Sequence, residues 1–583
     1  MQNENLNTFW ANLIVEELIR CGVDYFCISP GSRSTPLTAA VARNKNAKSI
    51  VCYDERNSAF HALGYARATG KPAVVITTSG TACANLYPAI IEASSDNVPM
   101  IVLTADRPPE LIDTSANQTI DQPGMFGRYI RRQFDLPCPD ENIAPEMVLS
   151  TVDQSVFRSR FSNPGPVHIN CRYRKPLEPA KTKPPEDYTK NIKHWIDSAR
   201  PFTKYEYPEV TANAESLDNL AYKIRQTDRG MIIVGRLNSD QQRKAVMAVV
   251  NMLNWPVYAD ITSGLRLTEC RTNIIRYFDG QLLSGEFNKK AAPSLVLHIG
   301  GRKTSKRVDE FLDQNRPGNY FLINSTPQRQ DPIHAVTAYL KGDVTDTCES
   351  LIDRIHLHEE TGYTGFYTDK AIHADAVIAK NIDADDSISE PFIARRLSKI
   401  VPENTSLFLS SSMPIRDVDL YSVSGRSGIT AAANRGVSGI DGVISTASGF
   451  AAAKKQLTTL LIGDMAFIHD INALAVLKKL DVPVIVVVIN NRGGGIFHFL
   501  PISEHPDVFE DYFAAPHDCG FKGVCQTFGI DYYNPQDKTA FTKAYMDAVD
   551  KSVSAVIEVN TDRNENLKLR RKIKKQIIEA LER

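Results

Sequence analysis

Short apolar runs rich in β-branched residues alternate with amphipathic helical patterns through the first ~180 residues. The runs VDYFCI, KSIVCY, PAVVITT and PMIVLTAD predict strands, and the stretches TPLTAAVARN and RNSAFHALGYARATG predict helices between them. Strands that alternate with helices are typical of a parallel sheet covered by helices on both faces. The pattern therefore predicts an α/β unit.

The same alternation recurs twice. GMIIVGRL, PVYADITSG, LVLHIGGR and NYFLINST predict a second set of strands, and SLFLSSSMPIRD, TTLLIGD, VPVIVVVIN and SAVIEVN predict a third. A segment rich in Pro and Lys (174–188) and a polar, Gly-containing segment (356–370) mark the predicted boundaries. We expect three doubly wound parallel-sheet domains, at residues 1–185, 190–365 and 380–583. The ending NLKLRRKIKKQIIEALER predicts a basic amphipathic helix, better interpreted as a packed terminal helix than as a nucleic-acid or lipid patch.

Composition and charge argue against several classes of protein. The 583 residues are 43% hydrophobic and 23% charged, with a net charge of −1, which gives no general electrostatic case for nucleic acid or an anionic membrane. The ten cysteines form no C-x-x-C pair and are interpreted as buried thiols in a reducing compartment. The N-terminus is a poor signal peptide, and no apolar run is long enough for a membrane span. We expect a cytoplasmic protein.

Two apolar runs near the C-terminal end stop abruptly on polar residues. LLIGDMAFIHD stops at Asp464, and VVVINNRGGGIF stops at Asn490 and Asn491. INALAVLKKLDVP between them predicts a helix, so the unit is strand–helix–strand and joins parallel strands. If these strands are neighbours, Asp464 and Asn491 stand at the carboxyl edge of the sheet, where α/β proteins bind ligands. Carboxylate and amide oxygens suit Mg²⁺, and the glycines from Gly493 onward let the backbone approach the ion.

A simpler interpretation is that Asp464 caps a helix and that the two asparagines form a turn. The stretch GDMAFIHD…VVVINNRGG, however, resembles the signature of thiamine-diphosphate-dependent enzymes. That resemblance implies that Asp464, Asn491 and the carbonyl of Gly493 hold a divalent metal against the diphosphate. Met465 departs from the commonest form of the signature, which has Gly there, but every implied ligand is kept.

The same family needs a glutamate against the pyrimidine ring of the cofactor, at the end of a strand in the N-terminal unit. The stretch SIVCYDERNSAF supplies Glu55 in that place. A glutamate in an apolar environment can hold a proton and share it with the ring. Taken alone, Glu55 is better interpreted as an acid favoured at a helix N-terminus. Agreement of two elements some 400 residues apart favours the catalytic interpretation.

Four arginines stand in loops punctuated by Gly, Pro or Ser beside predicted strand ends: Arg33, Arg107, Arg416 and Arg435. A single loop arginine usually makes a surface ion pair of little energy. Each guanidinium nevertheless offers a planar fork for a carboxylate. Four of them beside a cofactor edge therefore predict a polyanionic substrate.

The stretches SPGSRSTPL, DERNSAFHALG, TADRPPEL, SSMPIRD, NRGVSGIDG and NNRGGGIFHFLP together resemble one branch of this family, the 2-succinyl-5-enolpyruvyl-6-hydroxy-3-cyclohexene-1-carboxylate synthases of menaquinone biosynthesis. The resemblance implies decarboxylation of 2-oxoglutarate and 1,4-addition of the succinyl-semialdehyde carbanion to isochorismate, with thiamine diphosphate and Mg²⁺ or Mn²⁺. It also implies a homodimer or homotetramer whose active sites lie between subunits.

Carried over position by position, the resemblance implies three groups of site residues. Glu55, Arg33 and Gln118 are catalytic; Ser412, Ile440 and Ile496 join Glu55 and the metal ligands at the cofactor. The substrates contact Ser32, Arg33, Arg107, Asn117, Gln118, Lys306, Arg416, Arg435 and Phe497. Ile440 and Phe497 could equally be ordinary core residues.

Two other interpretations are open at this point. Another thiamine-dependent 2-oxo acid decarboxylase or acetohydroxyacid-type synthase would share Glu55 and Asp464, but would have no reason to place four arginines near the site. A nucleotide-binding or regulatory subunit with the same layers is disfavoured, because GYARATGKP fails as a P-loop. The sequence does not decide whether the central domain binds a regulator, or between Mg²⁺ and Mn²⁺.

Overall fold

The computed structural model describes residues 6–179, 186–269, 271–359, 362–384 and 387–583. The chain divides into two compact units. The first comprises the described residues of Met1–Pro208, together with Asn434–Lys455 and His469–Asp481. The second comprises those of Glu209–Ala433, Gln456–Ile468 and Val482–Arg583.

The strands form three sheets in which every pairing is parallel. The first has the order β2-β1-β3-β4-β6-β5, the second β11-β10-β9-β7-β8 and the third β13-β12-β14-β15-β17-β16. The strands are β1 (Tyr25–Ile28), β2 (Lys48–Val51), β3 (Ala73–Thr77), β4 (Met100–Asp106), β5 (Arg132–Leu136), β6 (Pro166–Arg172), β7 (Gly230–Val234), β8 (Val257–Ala259), β9 (Leu295–Ile299), β10 (Asn319–Asn324), β11 (Ala338–Lys341), β12 (Ser406–Leu409), β13 (Thr430–Ala433), β14 (Thr458–Gly463), β15 (Val484–Asn490), β16 (Asp531–Tyr533) and β17 (Ala555–Asn560).

Helices separate most consecutive strands. They are α1 (Leu6–Arg20), α2 (Thr35–Arg43), α3 (Glu55–Thr69), α4 (Thr81–Ala84), α5 (Tyr87–Ser95), α6 (Glu146–Arg160), α7 (Glu186–Thr189), α8 (Lys193–Ile196), α9 (Ala214–Arg225), α10 (Asp240–Leu253), α11 (Phe278–Gln281), α12 (Gly285–Ala291), α13 (Lys306–Gln314), α14 (Val344–Ile352), α15 (Gly362–Ile382), α16 (Glu390–Ile400), α17 (Met413–Tyr421), α18 (Val443–Lys454), α19 (Asp464–His469), α20 (Leu474–Leu477), α21 (Pro506–Phe509), α22 (Lys522–Phe528), α23 (Lys538–Lys551) and α24 (Arg563–Glu582). Short 3₁₀ turns include Ile471–Ala473 and Gly495–Phe499, and Glu510–Ala514 is one π turn.

The prediction of an α/β fold with three parallel sheets is confirmed. Each predicted apolar run contains a strand, because buried parallel strands consist mainly of apolar residues, as β3, β9 and β15 do. Strands β5, β6, β11, β13 and β16 were not predicted. Four of them lie at sheet edges, where β5, β11 and β16 carry mostly half-buried or exposed residues and β13 is the short run Thr-Ala-Ala-Ala. The fifth, β6, lies inside the first sheet, and His168 and Asn170 interrupt its apolar run. The two predicted boundary segments include residues 180–185 and 360–361, which lie outside the described residues, and α15 begins directly after the second gap.

The predicted packed terminal helix is confirmed by α24. Its buried positions, Asn566, Arg570, Ile573, Ile577 and Leu581, recur at intervals of three or four residues and so form one face. The apolar members join the core that covers β12, β14 and β15. Most basic residues of the helix are exposed, whereas Arg570 is buried.

The described cysteines are all free, and most of them are buried. Burial raises the pKa of Cys52, Cys83 and Cys348 to about 12, so these thiols stay protonated. The expectation of buried thiols is wrong for Cys519, which is exposed because it stands in a surface loop, and Cys270 lies outside the described residues. Within the described ranges, no helix combines the length and apolar character needed to cross a bilayer.

Candidate functional site

Asp464 begins α19 directly after β14, and its carboxylate is buried. β14 and β15 are parallel neighbours with Gly463 opposite Ile489, so the chain leaves both strands at one edge of the third sheet. Asn491 follows the end of β15 at that edge. The strand arrangement on which the metal-site prediction depends is therefore present. The predicted helix between the strands is much shorter than expected, a 3₁₀ turn followed by α20.

The carboxamide of Asn491 has a free oxygen. Its Nδ2 donates to Glu390 Oε1 over 2.8 Å, whereas its Oδ1 is enclosed and accepts no hydrogen bond from the described residues. The neighbouring Asn490 makes structural hydrogen bonds instead. Its Nδ2 donates to Cys519 O at 3.0 Å and to Glu558 Oε1 at 2.6 Å. Asn491 thus has an oxygen available for a ligand.

Gly493 brings the backbone against Asp464. Its N–H donates to Asp464 Oδ2 over 3.0 Å, and its φ of +143° lies in a region that residues with a side chain rarely adopt. A Cβ at this position would stand 2.3 Å from the carbonyl oxygen of Ala514. Both facts require glycine here.

Burial raises the pKa of Asp464, although hydrogen bonds from the backbone of Gly493 and Met465 and the nearby His517 oppose this effect. His517 Nε2 lies 3.3 Å from Asp464 Oδ2. Sequence reasoning missed His517, because a single histidine in the loop AAPHDCG has no spacing that relates it to the motif.

These residues fit a hard divalent cation. A buried carboxylate, an enclosed amide oxygen with no partner in the described structure, and a glycine that brings the main chain close stand at one sheet edge. Mg²⁺ takes oxygen ligands and needs only one or two from protein carboxylates, the remainder coming from water and phosphate. The donor set is therefore suited to a metal that also holds a diphosphate.

Ser412 precedes α17, in the loop after β12, which is the other neighbour of β14. Its φ is +69°, and its carbonyl accepts a hydrogen bond from the Arg416 guanidinium. The prediction that Arg416 lies in a loop is wrong, since it stands in the first turn of α17. Pro414, the second residue of that helix, favours its first turn, because its φ is preset and its missing N–H would have no helical partner there.

The segment after the glycines contains the predicted apolar wall. Ile496 and Phe497 lie in the 3₁₀ turn Gly495–Phe499, and both are half-buried. The Phe497 ring meets that of Phe513 edge to face, with centroids 5.9 Å apart. Neither residue is an ordinary core residue, since each keeps an exposed part.

Glu55 belongs to the first unit, where it is the first residue of α3. Asp54 caps the helix by accepting a hydrogen bond from Arg56 N, so Glu55 is not needed as the cap. The half-buried Glu55 carboxylate instead accepts a hydrogen bond from Asn85 Nδ2 over 3.2 Å. The Glu55 carboxylate is therefore oriented by Asn85 and does not cap the helix.

Arg33 and Arg107 follow β1 and β4, respectively, in the first unit. Arg33 is only 3% exposed, and its Nη1 donates to Tyr173 O over 2.7 Å. The Nε atoms of both arginines are buried and have no hydrogen-bond partner within the described part of the chain. Burial, followed by the positive charge of Arg107, lowers the pKa of Arg33.

Gln118 adopts a positive φ of 58° and is pinned to the loop after β3. Its Nε2 donates to Ser79 O over 3.0 Å, and Ser79 Oγ donates to Gln118 O over 3.1 Å. Asn117 beside it is exposed, as is Ser32 in the loop after β1. All three stand in loops after strands of the first sheet.

The loop that contains Arg435 and Ile440 also belongs to the first unit. The buried carboxylate of Glu92 accepts hydrogen bonds from Gly436 N and Val437 N, each 2.7 Å long, and fixes the start of this loop. Arg435 and Ile440 are half-buried.

Lys306 lies apart, at the start of α13 beside the second sheet. Its side chain is 88% exposed, and its ammonium pairs with Glu310 at 3.2 Å. Of all the predicted substrate residues described here, Lys306 is the one whose surroundings look most like an ordinary surface position.

Sequence reasoning missed a buried charge cluster next to Asn491, which consists of Glu390, Asp417 and Arg570. Arg570 lies 153 positions beyond Asp417 and 180 beyond Glu390, so no local pattern connects it with the two carboxylates. The single available signal was an arginine on the apolar face of the basic terminal helix.

Comparison with known families gives three matches along the chain. Residues 10–125 match the family described as "Thiamine pyrophosphate enzyme, N-terminal TPP binding domain", residues 186–409 match "Middle domain of thiamine pyrophosphate", and residues 422–559 match "Thiamine pyrophosphate enzyme, C-terminal TPP binding domain".

Three full-length relatives share the name 2-succinyl-5-enolpyruvyl-6-hydroxy-3-cyclohexene-1-carboxylate synthase. The chain is 43% identical to the protein of that name from Rubrobacter xylanophilus, over 97% of this chain and 98% of the relative. It is 41% identical to that from Salinibacter ruber, over 99% and 98%. It is 40% identical to that from Chlorobium phaeobacteroides, over the whole of both chains.

Proposed function

Because this chain belongs to the thiamine pyrophosphate enzymes and, within them, to the 2-succinyl-5-enolpyruvyl-6-hydroxy-3-cyclohexene-1-carboxylate synthase family, we propose that it catalyses this synthase reaction. The substrates are 2-oxoglutarate and isochorismate, the cofactors are thiamine diphosphate and Mg²⁺ or Mn²⁺, and the pathway is menaquinone biosynthesis. Bound thiamine diphosphate supplies the nucleophilic carbon and the electron sink that decarboxylation of a 2-oxo acid requires.

One observation carries the proposal. The enclosed, unpartnered Oδ1 of Asn491 and the buried carboxylate of Asp464 follow two neighbouring strands at one sheet edge. Asp464, Asn491 and the carbonyl of Gly493 would hold the metal, and Ser412 before α17 would bind the diphosphate. These are the oxygen donors that a hard cation needs beside a phosphate group.

Glu55 would hold and return the proton at the pyrimidine nitrogen. Its position supports this role, because Asp54 takes over helix capping and leaves the Glu55 carboxylate with Asn85 as its partner. A carboxyl group positioned for proton transfer typically contributes about 10²–10⁴-fold to the rate.

The arginines would bind the carboxylates of both substrates. Arg33 and Arg107 each keep a buried Nε free of partners in the described structure, and Arg416 and Arg435 would extend the positive surface. Ser32, Asn117 and Gln118 would orient the substrates, with Lys306 at the margin. Each charge-assisted hydrogen bond contributes roughly 1.5–3 kcal/mol, so several would select dicarboxylates over 2-oxo acids with a single carboxylate.

The half-buried Ile496 and Phe497 would exclude water from the reacting carbon, and Ile440 would support the cofactor from below. Excluding water prevents protonation of the four-carbon unit before it reaches isochorismate.

We also propose domains at residues 1–185, 190–365 and 380–583, supported by the separate spans of the three sheets. We further propose that the protein assembles as a homodimer or homotetramer and that it is cytoplasmic. The free cysteines of the described chain support a reducing compartment.

The test is an assay of the purified protein with thiamine diphosphate, Mg²⁺ and 2-oxoglutarate, with and without isochorismate. We expect CO₂ release coupled to formation of a succinyl-cyclohexene adduct. Pyruvate, which lacks the second carboxylate, is the matched control substrate and should turn over far more slowly. Efficient turnover of pyruvate with no use of 2-oxoglutarate would overturn the substrate assignment and leave the cofactor assignment intact.

A further inference from the structure

A buried arginine on the terminal helix holds two carboxylates at the edge of the third sheet. Arg570 Nη2 donates to Glu390 Oε2 over 2.8 Å and to Asp417 Oδ2 over 2.6 Å, and its Nη1 donates to Asp417 Oδ1. All three side chains are less than a tenth exposed. A buried charge cluster of this kind contributes less net stability than an apolar core, so its presence calls for another explanation.

The cluster of Glu390, Asp417 and Arg570 contacts Asn491, the proposed metal ligand, through Glu390. Glu390 Oε1, the oxygen that Arg570 does not use, accepts the hydrogen bond from Asn491 Nδ2. A carboxylate that pairs with a guanidinium accepts hydrogen bonds, so the group that faces Glu390 Oε1 is the NH₂ and not the oxygen of the carboxamide. The Asn491 oxygen is thereby turned the other way, into the position where it has no partner among the described residues.

We propose that Glu390 is a positioning residue that fixes the carboxamide of Asn491 with its oxygen toward the metal, and that Arg570 holds the Glu390 side chain in place. This inference rests on the proposed function, because it assigns a task to residues behind the same metal site. It also assigns the basic terminal helix a role, since α24 supplies the arginine.

The physical need for such a residue follows from the symmetry of a carboxamide. The two ends of the group have nearly the same size, so packing alone does not distinguish them. With the NH₂ toward a cation, Asn491 would repel the metal and not bind it. Groups that orient metal ligands in this way typically change metal affinity 10–100-fold when they are altered.

Arg570 also binds α17, the helix that begins directly after Ser412. Asp417 lies in α17, whose N-terminus follows Ser412 directly. Arg570 therefore connects the helix behind the proposed diphosphate site with the side chain behind the proposed metal ligand. A change at Arg570 is expected to affect both, whereas a change at Glu390 affects Asn491 alone.

The test exchanges donor and acceptor between the two side chains. Asn491→Asp places two carboxylates against each other and should weaken Mg²⁺ binding by about 10-fold or more, although it adds a negative charge that would otherwise favour a cation. Glu390→Gln alone leaves two amides with no fixed direction and should weaken binding as well. The double variant Glu390→Gln/Asn491→Asp has the charge of the parent, and the new amide donates to the new carboxylate. We expect its Mg²⁺ affinity to return to within about threefold of the parent.

The readout is the Mg²⁺ concentration that gives half of the rise in thermal unfolding midpoint, measured with saturating thiamine diphosphate. The midpoint without ligands reports folding separately. Glu565→Gln, an exposed acid in the first turn of α24, is the matched control and should leave the Mg²⁺ dependence unchanged. If Asn491→Asp alone does not fold, the comparison of the double variant with Glu390→Gln decides, and the double variant must bind Mg²⁺ more tightly.

Two results would overturn the inference in distinguishable ways. If the parent protein shows no Mg²⁺-dependent stabilisation with thiamine diphosphate, the proposed function fails and the inference fails with it. If the parent binds Mg²⁺ but the double variant is no better than the single variants, Glu390 does not orient Asn491, and the proposed function stands.

Discussion

The buried guanidinium of Arg33 lies beside the like-charged guanidinium of Arg107, and burial followed by this repulsion lowers the pKa of Arg33. The fold thus places two cations within electrostatic reach of each other, and the negative charge of Asp106 offsets part of the repulsion. Two neighbouring guanidinium groups repel each other, so they do not stabilise the fold. They would attract and stabilise a bound dianion.

Replacement of Arg33 by Gln is therefore expected to lower kcat/KM for 2-oxoglutarate. Loss of one charge-assisted hydrogen bond, roughly 1.5–3 kcal/mol, corresponds to about a 10- to 100-fold reduction. Steady-state kinetics with 2-oxoglutarate measure it. Arg174→Gln is the control, because Arg174 makes an exposed ion pair with Glu110 and should change kcat/KM little. Equal losses in the two variants would contradict a substrate role for Arg33.

Replacement of Glu55 by Gln is expected to reduce kcat by about 10²-fold or more, because the amide cannot exchange a proton with the pyrimidine ring. Mg²⁺-dependent binding of thiamine diphosphate, measured by calorimetry, should persist. Glu215→Gln is the matched control, since Glu215 is also an acid in the first turn of a capped helix, α9. An active Glu55→Gln enzyme would show that the residue serves only the helix.

Replacement of Gly493 by Ala is expected to weaken Mg²⁺ binding. The new Cβ would stand 2.3 Å from Ala514 O and the backbone would keep a φ of +143°, which costs about 1–3 kcal/mol even without the clash. The peptide that approaches Asp464 must therefore move. Titration of Mg²⁺ against the unfolding midpoint measures the effect. Gly520→Ala, where the space around the Cβ is open, should bind Mg²⁺ like the parent.

Glu17 makes stability depend on pH. Burial and a hydrogen bond with Asp153 raise the pKa of Glu17 from 4.5 to about 8, while Trp195 and Phe202 N donate to its oxygens. Between these two values the folded protein keeps a proton that the unfolded chain has released. The free energy of unfolding should therefore fall as the pH rises through this window, and the loss is complete above about 8.

Glu17→Gln carries no proton to lose, so its stability should change less with pH. Urea unfolding of parent and variant at about pH 6 and about pH 9 gives the comparison. Glu141→Gln, at an exposed position, should keep the pH dependence of the parent. A variant whose stability falls with pH as steeply as that of the parent would assign the effect to another group.

Local features were readable from the chain because they depend on short-range physics. Buried parallel strands are mainly apolar, so the runs that became β3, β9 and β15 stood out. Asp464 and Asn491 stood out in turn as the polar residues that follow β14 and β15. Edge strands such as β5, with mixed burial, gave no such signal.

The sequence by itself therefore determined the class of fold, the family and the position of the metal motif. Only the tertiary structure decided that β12 stands between β13 and β14. It also decided that Asn490 bonds Glu558, while the Asn491 oxygen has no partner among the residues that the structure describes. It also placed Arg570 against Glu390 and Asp417. Periodicity reports which face of an element is buried, but it does not report which distant side chain lies opposite. That choice is made by packing and charge pairing when elements far apart in the chain come together.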